Sequence, residues 1–506
     1  MRSDWPIAQA HTSTRARPPR EQPPHLVIPP TSIVGVTLPP DEIEGARREP
    51  HLRDASAPEG RPQTARPRVG VVLAAGLSSR MAVATGGGSK ALLYVGGLSL
   101  VERAIRRLLA LGLERVVVVV GHHAEPVAAI VNRAAPGRAL AVFAERWAEG
   151  NGVSLAAAAP HLGAEALFLL VTADHVFCDG ALEALLDAGG PAGLVDHAPS
   201  AAAWAEGTRV RLHEDRVLAF GKELDDPSID CGAFLLPTQV FAAQTRAEAA
   251  GDATLAGAVT VLAETCLVQV VPVVPQGWWL DVDTPEDLRG ARRALRRSLV
   301  KREDGPVSRY LNRPLSTRLS MLISPLRPNP DLLSGLALGV GLVAALLLAR
   351  GEGVAGGLVV WAGSVLDGMD GEAARLQVRA SAAGALFDGV LDRVADTAVL
   401  VGLAMWAVRQ GMSVDLTVGL CAVAVATSTL SMASKDRIAA LGLAPAPEEA
   451  LAWLLGGRDG RLLLVTITAL AGRPLVALAA VVVTAGLTLL LRLVLVRKGR
   501  LLGRSG

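Results

Sequence analysis

Asp367-Gly368-Met369-Asp370-Gly371-Glu372-Ala373-Ala374-Arg375, then eight residues, then Gly384-Ala385-Leu386-Phe387-Asp388-Gly389-Val390-Leu391-Asp392, sets four aspartates in two short clusters within an apolar part of the chain. At 3.6 residues per turn, Asp367, Asp370, Gly371 and Ala374 share one face of a helix, and Gly384, Asp388 and Asp392 share a face of a second. Four carboxylates then converge between two helices, with glycine and alanine leaving room beside them. The flanks are apolar, and carboxylates inside a membrane are costly enough to mark function. Oxygen ligands at this density suit one or two hard divalent cations holding a diphosphate.

Working outward, apolar spans lie at roughly 332–349, 353–370, 383–408, 413–434, 459–472 and 474–496. The expectation is an all-α six-helix transmembrane bundle over 331–500, although the second and fifth spans are short for a full crossing. Basic residues gather before the first span (Arg302, Arg309, Arg313), between the second and third (Arg375, Arg379), between the fourth and fifth (Lys435, Arg437, Arg458, Arg461) and after the sixth (Arg497, Lys498, Arg500). The opposite loops hold only Arg350, Arg409 and Arg473. The positive-inside rule then gives a multi-pass protein of the cell (inner) membrane, with both termini and the carboxylate cluster facing the cytoplasm. Ahead of the spans, 298–330 reads as a juxtamembrane segment: basic at Arg292 to Arg302, then amphipathic over Ser308 to Ile323, with Arg309, Arg313 and Arg318 on its polar side.

Upstream the periodicity changes. Val69 to Ala75, Glu114 to Val120, Ala166 to Thr172 and Leu267 to Val274 read as buried strands, and Leu98 to Leu111 as a helix between two of them. Strand, helix, strand in this order predicts a parallel sheet in a Rossmann-like α/β domain over 68–297. Thr284-Pro285-Glu286-Asp287 is a helix start, with Thr as cap and acids in the first turn. The small-residue loop Leu73-Ala74-Ala75-Gly76-Leu77-Ser78-Ser79-Arg80-Met81 lets backbone N–H groups approach a triphosphate, while Arg80 and Lys90 neutralise its charge. Asp174 at a strand end and the late pair Asp281 and Asp283 would meet over that triphosphate at a Mg²⁺ site for nucleotidyl transfer. Residues 1–67, rich in Pro, Arg, Glu and Ser, read as a disordered extension without a signal peptide.

The first stretch resembles the CDP-alcohol phosphotransferase signature, D-x-x-D-G-x-x-A-R, eight residues, G-x-x-x-D-x-x-x-D, with every position filled. The resemblance implies a membrane enzyme, commonly a homodimer, that displaces CMP from a CDP-alcohol with an alcohol acceptor. It implies Asp367, Asp370, Asp388 and Asp392 as metal ligands and Asp392 as base. Gly371, Ala374 and Gly384 leave space for the nucleotide, and Arg375 contacts phosphate. Arg309 and Arg313, with Lys435 and Arg437, would bind an anionic acceptor. The upstream half resembles the sugar-phosphate nucleotidyltransferases, with their L-A-A-G-x-x-S-R-M loop, central Asp-His and late D-x-D-T-P-E-D; Ser78 stands where that loop often has glycine. This implies Asp174 and Asp283 as metal ligands, Arg80 and Lys90 as triphosphate contacts, Asn151 and Gly152 in the base-reading turn, and Lys222 and Asp230 on the acceptor side.

The whole of 68 to 500 resembles the bifunctional inositol-1-phosphate cytidylyltransferase/di-myo-inositol phosphate phosphate synthases. Gly277-Trp278-Trp279, Ser308-Arg309-Tyr310-Leu311-Asn312-Arg313 and Pro328-Asn329-Pro330 add to that likeness. It implies CTP and inositol 1-phosphate as first substrates, a CDP-alcohol intermediate, and inositol phosphate or a lipid as acceptor. Mg²⁺ or Mn²⁺ would be the cofactor.

Composition agrees. Hydrophobic residues make up 51% of 506, and mean hydropathy is +0.38, too apolar for an all-soluble enzyme of this size. A net charge of +2 gives no support to a nucleic-acid partner. Cys178, Cys231, Cys266 and Cys421 are far apart, without a C-x-x-C pair for zinc or a disulfide framework.

Overall fold

The computed structural model describes residues 66–77, 87–274, 277–301, 303–441, 443 and 448–502, with backbone alone at Asp179, Glu449 and 499–502. Most of the expected extension, Arg80 with the rest of its loop from Ser78, and Arg302 lie outside the described residues.

The α/β half runs through strands β1 (Val69–Ala74), β2 (Tyr94–Val95), β3 (Leu98–Ser99), β4 (Arg115–Val120), β5 (Ala139–Phe143), β6 (Leu167–Thr172), β7 (His175–Phe177), β8 (Ala192–Asp196), β9 (Arg209–His213), β10 (Arg216–Gly221), β11 (Ile229–Pro237), β12 (Gln269–Pro272) and β13 (Trp279–Asp281). Its helices are α1 (Leu100–Ala110), α2 (Ala124–Ala134), α3 (Asn151–Leu155), α4 (Asp179–Asp187), α5 (Ala201–Glu206), α6 (Val240–Ala249), α7 (Leu255–Ala263) and α8 (Pro285–Ser298). Nine strands form one sheet in the order β5-β4-β1-β6-β11-β8-β12-β10-β9. β1 lies between β4 and β6, parallel to both, whereas β11 is antiparallel to β6 and β8.

β1 is buried at all six residues because the sheet is covered on both faces. Val72, Val116 and Val118 meet Val101, Ile105 and Leu108 on one face. Val71, Val117 and Val119 meet Leu155, Leu162 and Val259 on the other. Each such side chain contributes roughly 1.5–3 kcal/mol by leaving water. Thr284 caps α8 as expected, in a reciprocal box with Asp287.

In the helical half, Arg313–Ile323 (α9) follows a π-helical turn at Ser308–Asn312. Then come α10 (Pro330–Ala349), α11 (Gly353–Leu376), α12 (Ala382–Arg409), α13 (Val414–Ala440), the short α14 (Glu448–Ala452), α15 (Arg458–Leu470) and α16 (Pro474–Leu502). Ala344, Leu348, Val360, Leu403, Trp406, Ala424, Val465 and Leu478 form its core. A helix stands at each of the six apolar spans, but only three described helices are long and apolar enough to cross a membrane: Pro330–Ala349, Val414–Ala440 and Pro474–Lys498. α11 and α12 carry the acidic residues along their length, and α15 has 13 residues where a crossing takes about 20. Large apolar side chains such as Leu332, Val418 and Leu490 face outward, as a hydrocarbon surrounding allows.

α9 departs from the expected surface helix. Arg318 is exposed, but Arg313 turns inward to Asp304 and Glu372. Glu372 is fully buried and takes hydrogen bonds from Arg313 (2.8 Å), Ser316 (2.6 Å) and Ser320 (2.6 Å). A buried carboxylate needs such partners, and that need overrides the amphipathic pattern.

The two halves are fastened together at the end of α11. Leu376 enters an apolar cluster of the α/β half with Val95, Leu100, Val282, Leu295 and Leu299. Arg327 donates to both oxygens of Glu102 (3.1 and 2.6 Å) and to the Gly97 carbonyl (2.9 Å). Gly97, at φ +83°, packs so tightly that a Cβ there would lie 2.2 Å from the Ser324 carbonyl oxygen.

Candidate active sites

The first site grows from the sheet order. β1 and β6 are parallel neighbours, with Leu73 opposite Thr172, so the loop after β1 and the turn after β6 emerge side by side at the strands' carboxyl ends, where open α/β sheets place ligands. The Ala173 N–H donates to the Leu73 carbonyl (2.9 Å) and fixes Asp174 beside that loop. β7 then pairs with β13, placing Asp281 opposite His175, and the Val282 N–H donates to the Asp174 carbonyl (3.0 Å). One two-stranded ribbon thus joins acids more than a hundred residues apart.

Lys90 stands between two of them. Its Nζ donates to Asp174 (3.0 Å) and to Asp283. His175 Nδ1 lies 2.9 Å from Asp174 and 2.6 Å from the Thr172 hydroxyl, and its ring stacks on Trp279 at 5.4 Å. Gly232, at φ +71°, lets β11 pass beneath: a Cβ would lie 2.6 Å from the Thr172 hydroxyl and 3.1 Å from the His175 ring. Asp230, on the same strand, accepts from the Gly232 N–H (2.8 Å).

Negative charge exceeds positive here. Burial, with Asp174 and Asp283 adding like charge, raises Asp281 to about 6, and burial likewise raises Asp230 to about 6. Burial alone would lower His175, but Asp281, Asp174 and Asp230 outweigh it and hold it at about 9. Lys90 is held above the usual lysine range against its burial, by Asp174 and Asp283. Asp174 sits below the carboxylate range despite burial, because His175 and Lys90 flank it. Asp174, His175 and Asp281 bring ligand atoms within 4.8 Å of one another, and buried Asp281 Oδ1 has no hydrogen-bond partner. That orphaned oxygen fits a bound cation.

Of the other residues expected here, Leu73, Ala74 and Ala75 are buried at the strand end and Gly76 is exposed after it. Asn151 accepts the Leu255 N–H (2.9 Å), and Gly152 donates to the Ala253 carbonyl (3.1 Å), so both are packed on the start of α7. Lys222 is exposed beyond β10.

The second site lies where α11 and α12 cross. Asp367, Asp388 and Asp392 offer oxygens within 4.8 Å of one another. Asp370 is within hydrogen-bonding reach of Asp388, and Asp367 of Asp392, so all four carboxylates do converge. Asp370 also accepts from the Ser334 hydroxyl of α10 and the Gly371 N–H. Arg458, at the first turn of α15, reaches across to Asp367, to Asp392 (3.1 Å) and to Asp396 (3.1 Å). Asp459 takes hydrogen bonds from Ser364 (2.8 Å) and Asn312 (3.0 Å). Arg461 also reaches Asp396 (3.5 Å), and the all-oxygen set of Asp367, Asp370, Asp388 and Asp392 fits hard divalent cations.

Gly371 and Ala374 follow on the same helix, where a Cβ at Gly371 would lie 3.2 Å from the Arg375 guanidinium. The Gly384 N–H is capped by Ser381 (3.1 Å) at the start of α12. The Arg375 guanidinium, beside Gly371, also donates from Nη2 to the Leu299 carbonyl (3.2 Å). Arg313 is engaged by Asp304 and Glu372, and Arg309 is half-buried on the turn before α9.

Comparison with known proteins joins the two sites. The family model of the MobA-like NTP transferase domain matches residues 70–299, and that of the CDP-alcohol phosphatidyltransferases matches 328–496. A bifunctional IPC transferase and DIPP synthase from Rubrobacter xylanophilus is 36% identical over 452 residues, covering 86% of this chain and 98% of its own. The chain belongs to that bifunctional family. A second member, from Thermococcus kodakarensis, is 33% identical over 68% of this chain and 77% of its own. A phosphatidylinositol phosphate synthase from Mycobacteroides abscessus is 35% identical over 116 residues, 23% of this chain and 52% of its own. As a member of the bifunctional family the chain is a nucleotidyltransferase and a CDP-alcohol phosphotransferase, and its three apolar helices mark a membrane protein.

Several further residues stand at the two candidate sites. Asp396 extends the series Gly384, Asp388, Asp392 by one more helical turn, so the same periodicity could have found it. Arg458, Asp459 and Ser334 come from other helices and carry no local signal. His175 was visible beside Asp174, yet its ties to Thr172 and Trp279 exist only once β7 and β13 pair.

Proposed function

We propose that the α/β half joins CTP to inositol 1-phosphate and that the helical half transfers phosphoinositol from the resulting CDP-inositol to inositol phosphate. In the first step a phosphate oxygen of inositol 1-phosphate attacks the α-phosphorus of CTP, the bond to the β-phosphate breaks, and pyrophosphate leaves. Lys90 and Arg80 carry positive charge to the triphosphate. Asp174, with Asp281 or Asp283, would hold Mg²⁺ (Mn²⁺ is the other ion that suits such oxygens), and His175 fixes the Asp174 carboxylate. Leu73 to Gly76 present backbone N–H groups, and Asn151, Gly152, Lys222 and Asp230 belong to the base and acceptor sides.

In the second step the acceptor hydroxyl attacks the inositol-bearing phosphorus of CDP-inositol, the phosphoanhydride bond breaks, and CMP leaves. Asp392 takes the hydroxyl proton. Asp367, Asp370, Asp388 and Asp392 would hold divalent ions, which supply charge neutralisation at the diphosphate. Gly371, Ala374 and Gly384 leave room for the nucleotide, Arg375 answers phosphate charge, and Arg309 serves the acceptor, Arg313 being taken up by Asp304 and Glu372. The six helices α10 to α13, α15 and α16 lie in the inner membrane, with both sites and both termini on the cytoplasmic side.

The observation that carries this reading is a complete acid cluster in each half, one at the strand ends and one between crossing helices. Phosphorus NMR of the detergent-solubilised chain with CTP, inositol 1-phosphate and Mg²⁺, and no lipid, tests it. The expected spectrum shows pyrophosphate, CMP and a new aqueous phosphodiester. No pyrophosphate would overturn the first step. Pyrophosphate without CMP would favour the second reading, a lipid acceptor, to which the likeness to the phosphatidylinositol phosphate synthase points.

A further inference from the structure

Between the α/β half and the end of α11 lies a cavity of 470 Å³, a volume in the range of small-ligand sites. Arg103 and Arg107 from α1 line it, with Arg375 from α11, His175, Trp278 and Leu295. Among the described residues no aspartate or glutamate does. Arg103 is 8% exposed; its Nη2 is held by the carbonyls of Val95 (2.5 Å) and Leu376 (3.0 Å), and its Nε has no hydrogen-bond partner. The Arg375 Nε likewise has none. Glu102, beside Arg103 in sequence, is taken up by Arg106 (2.7 Å) and Arg327. Burial, with Arg107 adding like charge, pushes Arg103 down to about 9.

Among the described residues no carboxylate is hydrogen-bonded to Arg103 or Arg375, so buried guanidinium N–H groups at Arg103 Nε and Arg375 Nε stand unpaired at the cavity. Such an arrangement is costly unless an anion occupies it. Guanidinium forks favour phosphate oxygens over a point-like anion. The walls touch both reaction centres: His175 Nδ1 contacts Asp174, and Arg375 sits on the helix that bears Asp367 and Asp370.

We infer that this seam cavity binds a diphosphate group. Two sources share that chemistry, the pyrophosphate released by the first step and the CDP-alcohol made by it. Naming those sources rests on the two-step reading. Bound CDP-alcohol would be staged between the two centres, whereas bound pyrophosphate would make the cavity a product-sensing site.

The test is equilibrium dialysis of the full chain in detergent with labelled pyrophosphate or CDP-inositol, in EDTA, so that binding through divalent ions is silenced. Arg103→Gln removes one guanidinium, and Ala104→Phe fills the cavity while keeping all three. Both variants are then assayed with Mg²⁺ for pyrophosphate release from CTP. The expected result is metal-independent binding weakened about tenfold or more in both, as for a lost charged hydrogen bond, with pyrophosphate release within about twofold of the parent. Stronger binding of CDP-inositol than of pyrophosphate identifies staging, and the reverse identifies product sensing. Binding untouched in Ala104→Phe, or no binding of either probe by the parent in EDTA, overturns the inference. Failure of the two-step reading shows separately, as absent pyrophosphate release in the parent.

Discussion

The two acid clusters solve one problem by opposite means. At the strand ends the carboxylates come from distant points in the sequence, Asp174, Asp230, Asp281 and Asp283, and the groups that answer them can titrate, Lys90 and His175. Between the helices the carboxylates come from one contiguous stretch, and their answer is Arg458, a cation that does not lose its proton, reaching in from a helix over sixty residues further on. A sheet can gather scattered residues because its strand ends converge. Two packed helices instead concentrate their acids locally, where burial calls for a counter-charge.

That contrast is open to direct attack. The largest effect is expected at Asp392→Asn, which should lower CMP release by about 10²–10⁴-fold, as for loss of a general base, while pyrophosphate release from CTP continues. CMP release that survives would move the base elsewhere. Asp174→Asn should remove both products by a similar factor, but CMP should return when CDP-inositol is supplied, because the helical site is intact. If supplied CDP-inositol fails to restore CMP, the two sites are not independent.

A smaller effect should separate the two kinds of counter-charge. Arg458→Gln leaves buried carboxylates unpaired, and breaking such a pair costs about 3–5 kcal/mol. In EDTA its thermal midpoint should fall well below that of the parent, and added Mg²⁺ should recover most of the loss. A midpoint unchanged in EDTA would show that Arg458 does not compensate the cluster.

The smallest effect concerns Asp230, whose folded value of about 6 stands above its ordinary 3.8. The folded state therefore holds a proton that the unfolded chain has released between those values. The stabilisation this gives is fully present below about pH 4 and is lost as pH rises through about 6. Asp230→Asn keeps an acceptor for the Gly232 N–H and does not ionise. Its thermal midpoint should exceed the parent's by more at pH 8 than at pH 4, and an equal gap at both would remove the charge argument.

Legibility followed the same division. The helical cluster could be read directly, since Asp367, Asp370, Asp388 and Asp392 obey a helical period and their convergence needs only two adjacent helices. Strands β1, β4, β6 and β12 were equally plain, because runs such as Arg115–Val120 are buried on both faces and rich in valine, whereas β5 and β8 to β11 were not read. The partners were not. Whether Asp281 or Asp283 stands nearer Asp174 depends on the register of β13 against β7, and the turning of Arg313 toward Glu372 depends on how α9 packs. Of the six spans read from composition, three described helices are long and apolar enough to cross; α11 and α12 are helices as expected, and their acids lower their hydropathy.

Leu376 closes α11 inside the apolar cluster of the α/β half, six residues after Asp370. At 1.5 Å per residue, about 9 Å of helix separates a side chain seated in one half from a carboxylate of the acid cluster in the other. The halves are thus not interchangeable cartridges. A foreign nucleotidyltransferase grafted at residue 298 would lack the socket for Leu376 and the Gly97 corner against Ser324, and the end of that helix would be left with a greasy tip in water. Lineages that trade either half for another would have to rebuild this joint as well, so the pair is expected to be inherited together.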